Sequence, residues 1–464
     1  MKYPKEPVTS AIYSDHLSNS TGNPFLEALP EMVDKDTFFS LVKSFPTLPY
    51  NIENMSAVER RTRLTCLQSL FYPMDYMYSI YDLLYRTITV SCTTKMVLNS
   101  IRQLNIVHKS FRTGDIYSPL YSGQAECSAI LGVPGIGKTS TVMRCLDTFP
   151  QVIIHTNYRG IPFFTKQITY LTVECPSDCS IKTLAYNIAA AVDRAIGSEY
   201  FDRLSRLRSA SVSAIATQIK IICINHHIGV LVIDEIQNAV ITAKKTNQTK
   251  PLIRFLVELT NDTSTGICFM GTTAAEEVLS SQDHLKRRTR GFRLLPLKPG
   301  ITYQNFLLAL WSYQFTAHKS TLTDQLANQF YDRSSGIPFY IIKLFYEAQS
   351  QAILTGYEKV DYNMLKLASE RLNIQVPKIF SQGTYISDFS ASFRLNENDR
   401  STPSEALQTF PQEEIKHQLY ANRRGRKKTQ RDAADLIEIL KKNQTIEDML
   451  NELYQLDLME EIRK

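Results

Sequence analysis

The chain has 464 residues, of which 43% are apolar and 21% charged, and 52 basic against 46 acidic side chains leave a net charge of +6. That make-up is ordinary for a globular protein of about three structural units, and a mild basic excess spread over the whole chain names no partner. No apolar run approaches the roughly 18 residues of a membrane span, and the opening MKYPKEPVTSAIYSDHLSNS lacks the apolar core of a secretory signal, so membrane-spanning and exported classes are excluded and a cytoplasmic protein is expected. The eight cysteines sit mostly in apolar stretches such as ECSAIL and GICFMG, the pattern of free thiols in a reducing compartment.

Taken in chain order, residues 1–50 are rich in Pro, Ser and Asn with short apolar patches, NPFLEALP among them, and read as a loosely ordered arm. Residues 51–120 carry helical patterns, including the aromatic run LFYPMDYMYSIYDLLY, which is expected to pack in a core. The pattern changes over 121–300. There the short apolar runs CSAIL, ITYLTV, GVLVID, ICFMG and FRLLPL alternate with amphipathic stretches such as IKTLAYNIAAAVDRAIG. Continuous apolar runs are what parallel strands buried on both faces require, and helices supply the crossovers, so an α/β domain with a parallel sheet is predicted. Residues 301–375 read as a helical lid. Over 376–464 the periodicity fades, a basic block runs from Arg423 to Arg431, and an acidic amphipathic stretch closes the chain. That tail is expected to dock a partner.

The strongest motif is Gly132-Val133-Pro134-Gly135-Ile136-Gly137-Lys138-Thr139, followed by Ser140. It is a complete G-x-x-x-x-G-K-[ST] phosphate loop between a predicted strand and a predicted helix. Glycines let backbone amides wrap phosphate oxygens, and the new helix points its positive end at them. Lys138 is expected to bridge the β- and γ-phosphates of ATP, and Thr139 to ligate Mg²⁺. Val230-Leu231-Val232-Ile233-Asp234-Glu235 places an acidic pair at the end of a buried strand. Asp234 would hold Mg²⁺ through water and Glu235 would polarise the attacking water, although such a pair also occurs wherever a sheet edge meets solvent. ICFMGTT ends a strand in polar residues, and the resemblance of this element order to the additional-strand ATPases implies that Thr272 stands between the two motif strands, near the γ-phosphate. The same threonines suit a helix N-cap. In Lys286-Arg287-Arg288-Thr289-Arg290, Arg287 or Arg288 is a candidate arginine finger for a neighbouring subunit, against the alternative of a solvated basic turn. SSGIPFYIIKL holds apolar residues where a lid often carries a second sensing arginine, and Lys343 is the weak substitute.

Together these motifs are those of an AAA+ P-loop ATPase, and the chain resembles TnsC, the ATPase regulator family of TnsABC-type (Tn-seven-like) transposons. NPFLEALP, TFPQVIIH, AAAVDRAIGSEY, GVLVIDEIQN, the GTT element and the Arg-Arg before Gly291-Phe292 carry that resemblance. It implies an ATPase that oligomerises as rings or filaments on double-stranded DNA and associates with the bacterial nucleoid. It also implies that the chain links a target-selection protein of the TnsD/TniQ type to the TnsA and TnsB transposase, with the arm and tail as docking segments. By the same resemblance, the helix after the second core strand faces DNA. Lys182 is then the first phosphate contact, followed by Arg203 and Arg206, unless these basic residues meet only water. Phosphate contacts carry no sequence information, so target choice would come from another protein. A helicase loader or replication initiator shares every core motif and is the alternative.

Overall fold

Five of the apolar runs become the parallel strands of one sheet in the computed structural model. It describes residues 7–14, 22–113, 125–207, 209–239, 249–280, 289–374 and 386–388. All of these belong to one unit of the chain, residues 1–397; the other, 398–464, lies outside the described residues.

The amino-terminal region contributes β1 (Val8–Ser10), α1 (Pro24–Glu27), α2 (Lys35–Val42), α3 (Ala57–Arg63), α4 (Asp75–Thr93) and α5 (Val97–Thr113). The described part of the arm packs, in contrast to the loose segment its composition suggests. Asn23 caps α1 by accepting from the amides of Phe25 and Leu26, and its own amide donates to the Cys92 carbonyl at 3.0 Å. Phe25 and Phe38 are fully buried. The aromatic run forms α4, whose Tyr76, Met77, Ile80, Tyr81, Leu84 and Ile88 recur at helical spacing and are all buried.

Next come β2 (Cys127–Gly132), α6 (Lys138–Leu146), β3 (Val152–Tyr158), β4 (Ile161–Ile168), β5 (Tyr170–Glu174), α7 (Ile181–Ile196), α8 (Tyr200–Arg206) and α9 (Val212–Asn225). They are followed by β6 (Val230–Asp234), α10 (Thr249–Thr263), β7 (Gly266–Gly271), α11 (Ala275–Ser280) and β8 (Thr289–Leu294). The strand order is β5-β6-β7-β2-β8, all parallel, with the short β9 (Ile386–Asp388) antiparallel at the β8 edge. The pleat sorts each strand's side chains between two cores. Ile130, Val232, Cys268 and Met270 join the core that includes α4 and the lid. Ala129, Leu131, Leu231, Ile233, Ile267 and Phe269 join the core under α7, α9 and α10. Strands buried on both faces read as unbroken apolar runs for that reason.

A second sheet, β1-β3-β4, was not foreshadowed. The β3–β4 hairpin is antiparallel with a register shift between His155 and Asn157, and it recruits β1 from the arm. The lid comprises α12 (Ile301–Trp311), α13 (Asp324–Ser334), α14 (Pro338–Leu354) and α15 (Tyr362–Leu372). Arg60 of α3 forms a largely buried ion pair with Glu358 of the lid, whose carboxylate also accepts from the Ala317 amide at 2.9 Å. This pair ties the amino-terminal helices to the lid.

Candidate functional site: a phosphate loop facing an acidic strand end

The loop between β2 and α6 turns on glycine. Gly135 and Gly137 have φ of +80° and +95°, which side chains with a Cβ rarely adopt. A Cβ on Gly132 would lie 2.9 Å from the Leu294 carbonyl of β8. Val133 and Ile136 are buried and anchor the loop, whereas Pro134, Thr139 and Ser140 are exposed. The Lys138 amine donates to the carbonyls of Gly132 at 2.9 Å and Val133 at 3.1 Å. Burial lowers its pKa, and the charges of Asp234 and Glu235 oppose that shift.

Asp234 closes β6, and its carboxylate accepts from the Thr139 hydroxyl at 2.9 Å. Its backbone carbonyl accepts from Cys175 beyond β5. Glu235 follows with φ +57°, a left-handed turn for a non-glycine residue. Its amide donates to Asp234 Oδ1 at 2.8 Å. The Gln237 side-chain amide donates to the Glu235 carboxylate, while Gln237 Oε1 accepts from the Thr272 backbone amide at 2.9 Å. Because β7 lies between β2 and β6, with Leu131 opposite Gly271, Thr272 emerges beside the start of the phosphate loop. The Thr272 carbonyl accepts from Ala275 as α11 begins.

The structure therefore brings together the loop from Gly132 to Thr139, Asp234, Glu235 and Thr272. Arg287 and Arg288 lie outside the described residues, as does the tail 376–464 apart from β9. The described chain resumes at Thr289, opposite Cys127, at the far end of β2 from the phosphate loop. Lys182 stands in the first turn of α7, and its amine donates to the Ala210 carbonyl at 2.7 Å. Arg203 and Arg206 on α8 are exposed.

A cavity of about 900 Å³ joins the phosphate loop to the segment from Leu67 to Met77 and to the lid, where Phe306, Phe339 and Lys343 line it. The Phe339 amide at the start of α14 donates to the Gly135 carbonyl at 3.2 Å, fastening the lid to the loop. Lys343 lies over the Phe339 ring, 5.4 Å from its centroid. Gln237 and the lining from Phe71 to Tyr76 were missed by sequence reasoning. The usable signals were the amide two residues after the acidic pair and the glycine ending ICFMG. The donor set suits Mg²⁺ with ATP: a hydroxyl and a carboxylate are hard oxygen ligands already within contact of each other. A glycine loop and a lysine amine face the same cavity.

Residues 122–279 match the family model described as an AAA domain. With the parallel sheet and phosphate loop, this makes the central part of the chain an AAA-type ATPase domain. No curated protein matches the chain. Among solved structures, Drosophila ORC bound to DNA is 13% identical and aligns over 77% of this chain and 74% of its own with a TM-score of 0.39. The Thermotoga maritima RuvB Holliday junction branch migration motor is 14% identical over 60% and 70%, with a TM-score of 0.31. The FIGL-1 AAA domain is 12% identical over 60% and 80%, also at 0.31. Scores this low carry no functional argument. Among the described residues, no helix is long and apolar enough to cross a membrane.

Proposed function

We propose that the AAA domain hydrolyses ATP and that hydrolysis resets an assembly of this chain on duplex DNA, in the manner of the TnsC regulators it resembles. The observation carrying the hydrolytic part is the convergence of Lys138, Thr139, Asp234 and Glu235 at one end of the sheet. In this reading the Lys138 amine leaves the Gly132 and Val133 carbonyls for phosphate oxygens. The Thr139 hydroxyl would ligate Mg²⁺ and the Asp234 carboxylate would hold it through water, the ion supplying neutralisation of phosphate charge. The Glu235 carboxylate orients the attacking water and draws on its proton. Thr272 stands beside the loop to sense the γ-phosphate. Arg287 or Arg288 completes the site of a neighbouring subunit, so ATP stabilises the interface between protomers.

The transposition part is supported by NPFLEALP. Its Asn23, Phe25 and Leu26 are buried, with the Asn23 amide seated on the Cys92 carbonyl of α4. Exposed Arg203 and Arg206, with Lys182 nearby in sequence, offer the DNA-phosphate face. The tail 376–464 would dock TnsA and TnsB, and the arm a target-selection protein of the TnsD/TniQ type.

Imaging the full chain with duplex DNA and a non-hydrolysable ATP analogue, alongside ATPase assays of the native protein and Glu235→Gln, tests this reading. Rings or filaments should form on DNA of any sequence and weaken steeply with salt. Glu235→Gln should hold them in ATP. Turnover by Glu235→Gln at the native rate would remove the catalytic assignment. Intact turnover with no DNA-bound assembly under any nucleotide would overturn the regulator reading. A strong preference for one duplex sequence, or loading of a replicative helicase, would favour the initiator or loader alternative.

A further inference from the structure

We propose that Gln237 is a positioning residue that couples the Glu235 carboxylate to the end of β7, so that the water-orienting group and Thr272 move as one unit. This inference rests on the hydrolytic reading above. Three independent features of the structure carry it.

The first is the bridge itself. A single primary amide spans the two elements, its nitrogen donating to the Glu235 carboxylate and its oxygen accepting from the Thr272 amide at 2.9 Å. Each end uses the correct chemistry: an ionised carboxylate only accepts, and a backbone amide only donates. A glutamate at this position would meet Glu235 with a second acceptor, and an alanine would reach neither partner.

The second is Gly271. Its φ is not positive, so backbone freedom does not explain a glycine there. A Cβ at this position would stand 2.5 Å from Gln237 Oε1 and 2.9 Å from Ile236 Cγ2. The strand end is therefore shaped around the bridging amide. The third is the Glu235 backbone at φ +57°. That conformation is sparsely populated for a side chain of this kind and persists where its surroundings hold it. The Asp234 carboxylate holds the Glu235 amide from one side, and Gln237 holds its carboxylate from the other. The turn thus aims Glu235 by two hydrogen bonds and does not leave it to rotate at an exposed strand end. A displacement of about 1 Å in such a group costs on the order of 10²-fold in rate. Whatever shifts the end of β7 on binding a γ-phosphate is passed through Gln237 to Glu235.

The test uses the full chain with Mg²⁺ and ATP. Gln237→Met keeps the side-chain volume and loses both hydrogen bonds. It should lower kcat by about 10- to 100-fold while leaving KM for ATP and the thermal midpoint close to native, because Gln237 is only half-buried. Gln237→Asn keeps the amide on a shorter stem and should fall between the two. Gly271→Ala displaces the amide from the other side and should reproduce the kcat loss. The double variant Gln237→Met/Gly271→Ala should be no slower than the slower single one, since both remove the same contact. Native kcat in Gln237→Met would overturn the proposal, because a packing role is satisfied by methionine. Multiplying losses in the double variant would overturn it too. Glu235→Gln separates the two levels of the argument. If it is inactive while Gln237→Met is native, the coupling is wrong and the catalytic assignment stands. If it turns over normally, the assignment itself fails.

Discussion

The two ends of the parallel sheet each seat a lysine amine on backbone carbonyls, half-buried at one end and sealed at the other. At the carboxyl end, Lys138 donates to Gly132 and Val133. At the amino end, in the turn between α4 and α5, Lys95 donates to the Ile228 carbonyl and, at 2.8 Å, to the Ser91 hydroxyl. Ser91 in turn donates to the Ser264 carbonyl, and Thr94 donates to the Ser264 hydroxyl. The difference lies in the surroundings. Lys138 faces a large cavity and two carboxylates that offset its desolvation. Lys95 is 1% exposed beside the thiols of Cys92 and Cys223, and burial pulls its pKa down to about 8. A buried lysine on carbonyls is therefore not itself a functional signal. The paired acids and the open space mark the working end, and the sealed end is a fastener that joins α4 to β6 and β7.

The sharpest way to break this contrast is Lys138→Ala. Turnover should fall by about 10³-fold or more, with binding of an ATP analogue lost and the thermal midpoint nearly unchanged, since the charge is needed on the phosphate oxygens and not in the fold. A large loss of stability with normal nucleotide binding would make Lys138 the fastener and not the working group. Lys95→Ala should show the reverse. It should cost about 2–4 kcal/mol in urea unfolding, because the Ile228 carbonyl and the serine network lose their donor and a void remains. Nucleotide affinity of the folded protein should be native.

Titration sharpens the comparison further. Burial pulls the Lys95 amine down to about 8 from its ordinary value of 10.5. Below pH 8 both folded and unfolded states are charged and the desolvation cost is fully present. As pH climbs from 8 to 10.5 the folded state sheds its proton first, and that cost is relieved by up to about 3 kcal/mol. Buried thiols and tyrosines push the other way in this range. The measurement is therefore the difference in unfolding free energy between the native chain and Lys95→Met, which should move in favour of the native chain as pH rises. A flat difference would mean that Lys95 keeps its ordinary pKa. The smallest effect concerns the neighbouring fastener. Asn23→Ala removes the cap of α1 and the bond to Cys92, and should lower stability by about 1–2 kcal/mol with ATPase activity intact.

Much of the working end was legible in the residues alone. The glycine spacing around Lys138 and the apolar run ending in Asp234-Glu235 are local signals. Their chemistry depends on neighbours within a few positions, so a short window contains it. Gln237 lies two residues beyond the acidic pair, yet its role depends on Thr272 and Gly271 from another strand, which no short window contains. The family resemblance implies a DNA contact for Lys182, and the fold seats its amine on the Ala210 carbonyl, a partner that no periodicity reveals.

The sequence by itself determined the five parallel strands, the helical lid, the burial of the α4 aromatics and the phosphate loop, because unbroken apolar runs, helical spacings of three to four residues and a local glycine pattern are all written along the chain. Tertiary structure alone decided the β1-β3-β4 sheet, the docking of Asn23 onto Cys92 and of Phe25 onto His227 at 3.7 Å between ring centroids, the sealing of Lys95, and the bridge from Glu235 to Thr272. Each of those joins residues far apart in the chain. A polar or aromatic side chain looks the same in sequence whether it meets solvent or a partner brought in from another element, and only packing settles which of the two it finds.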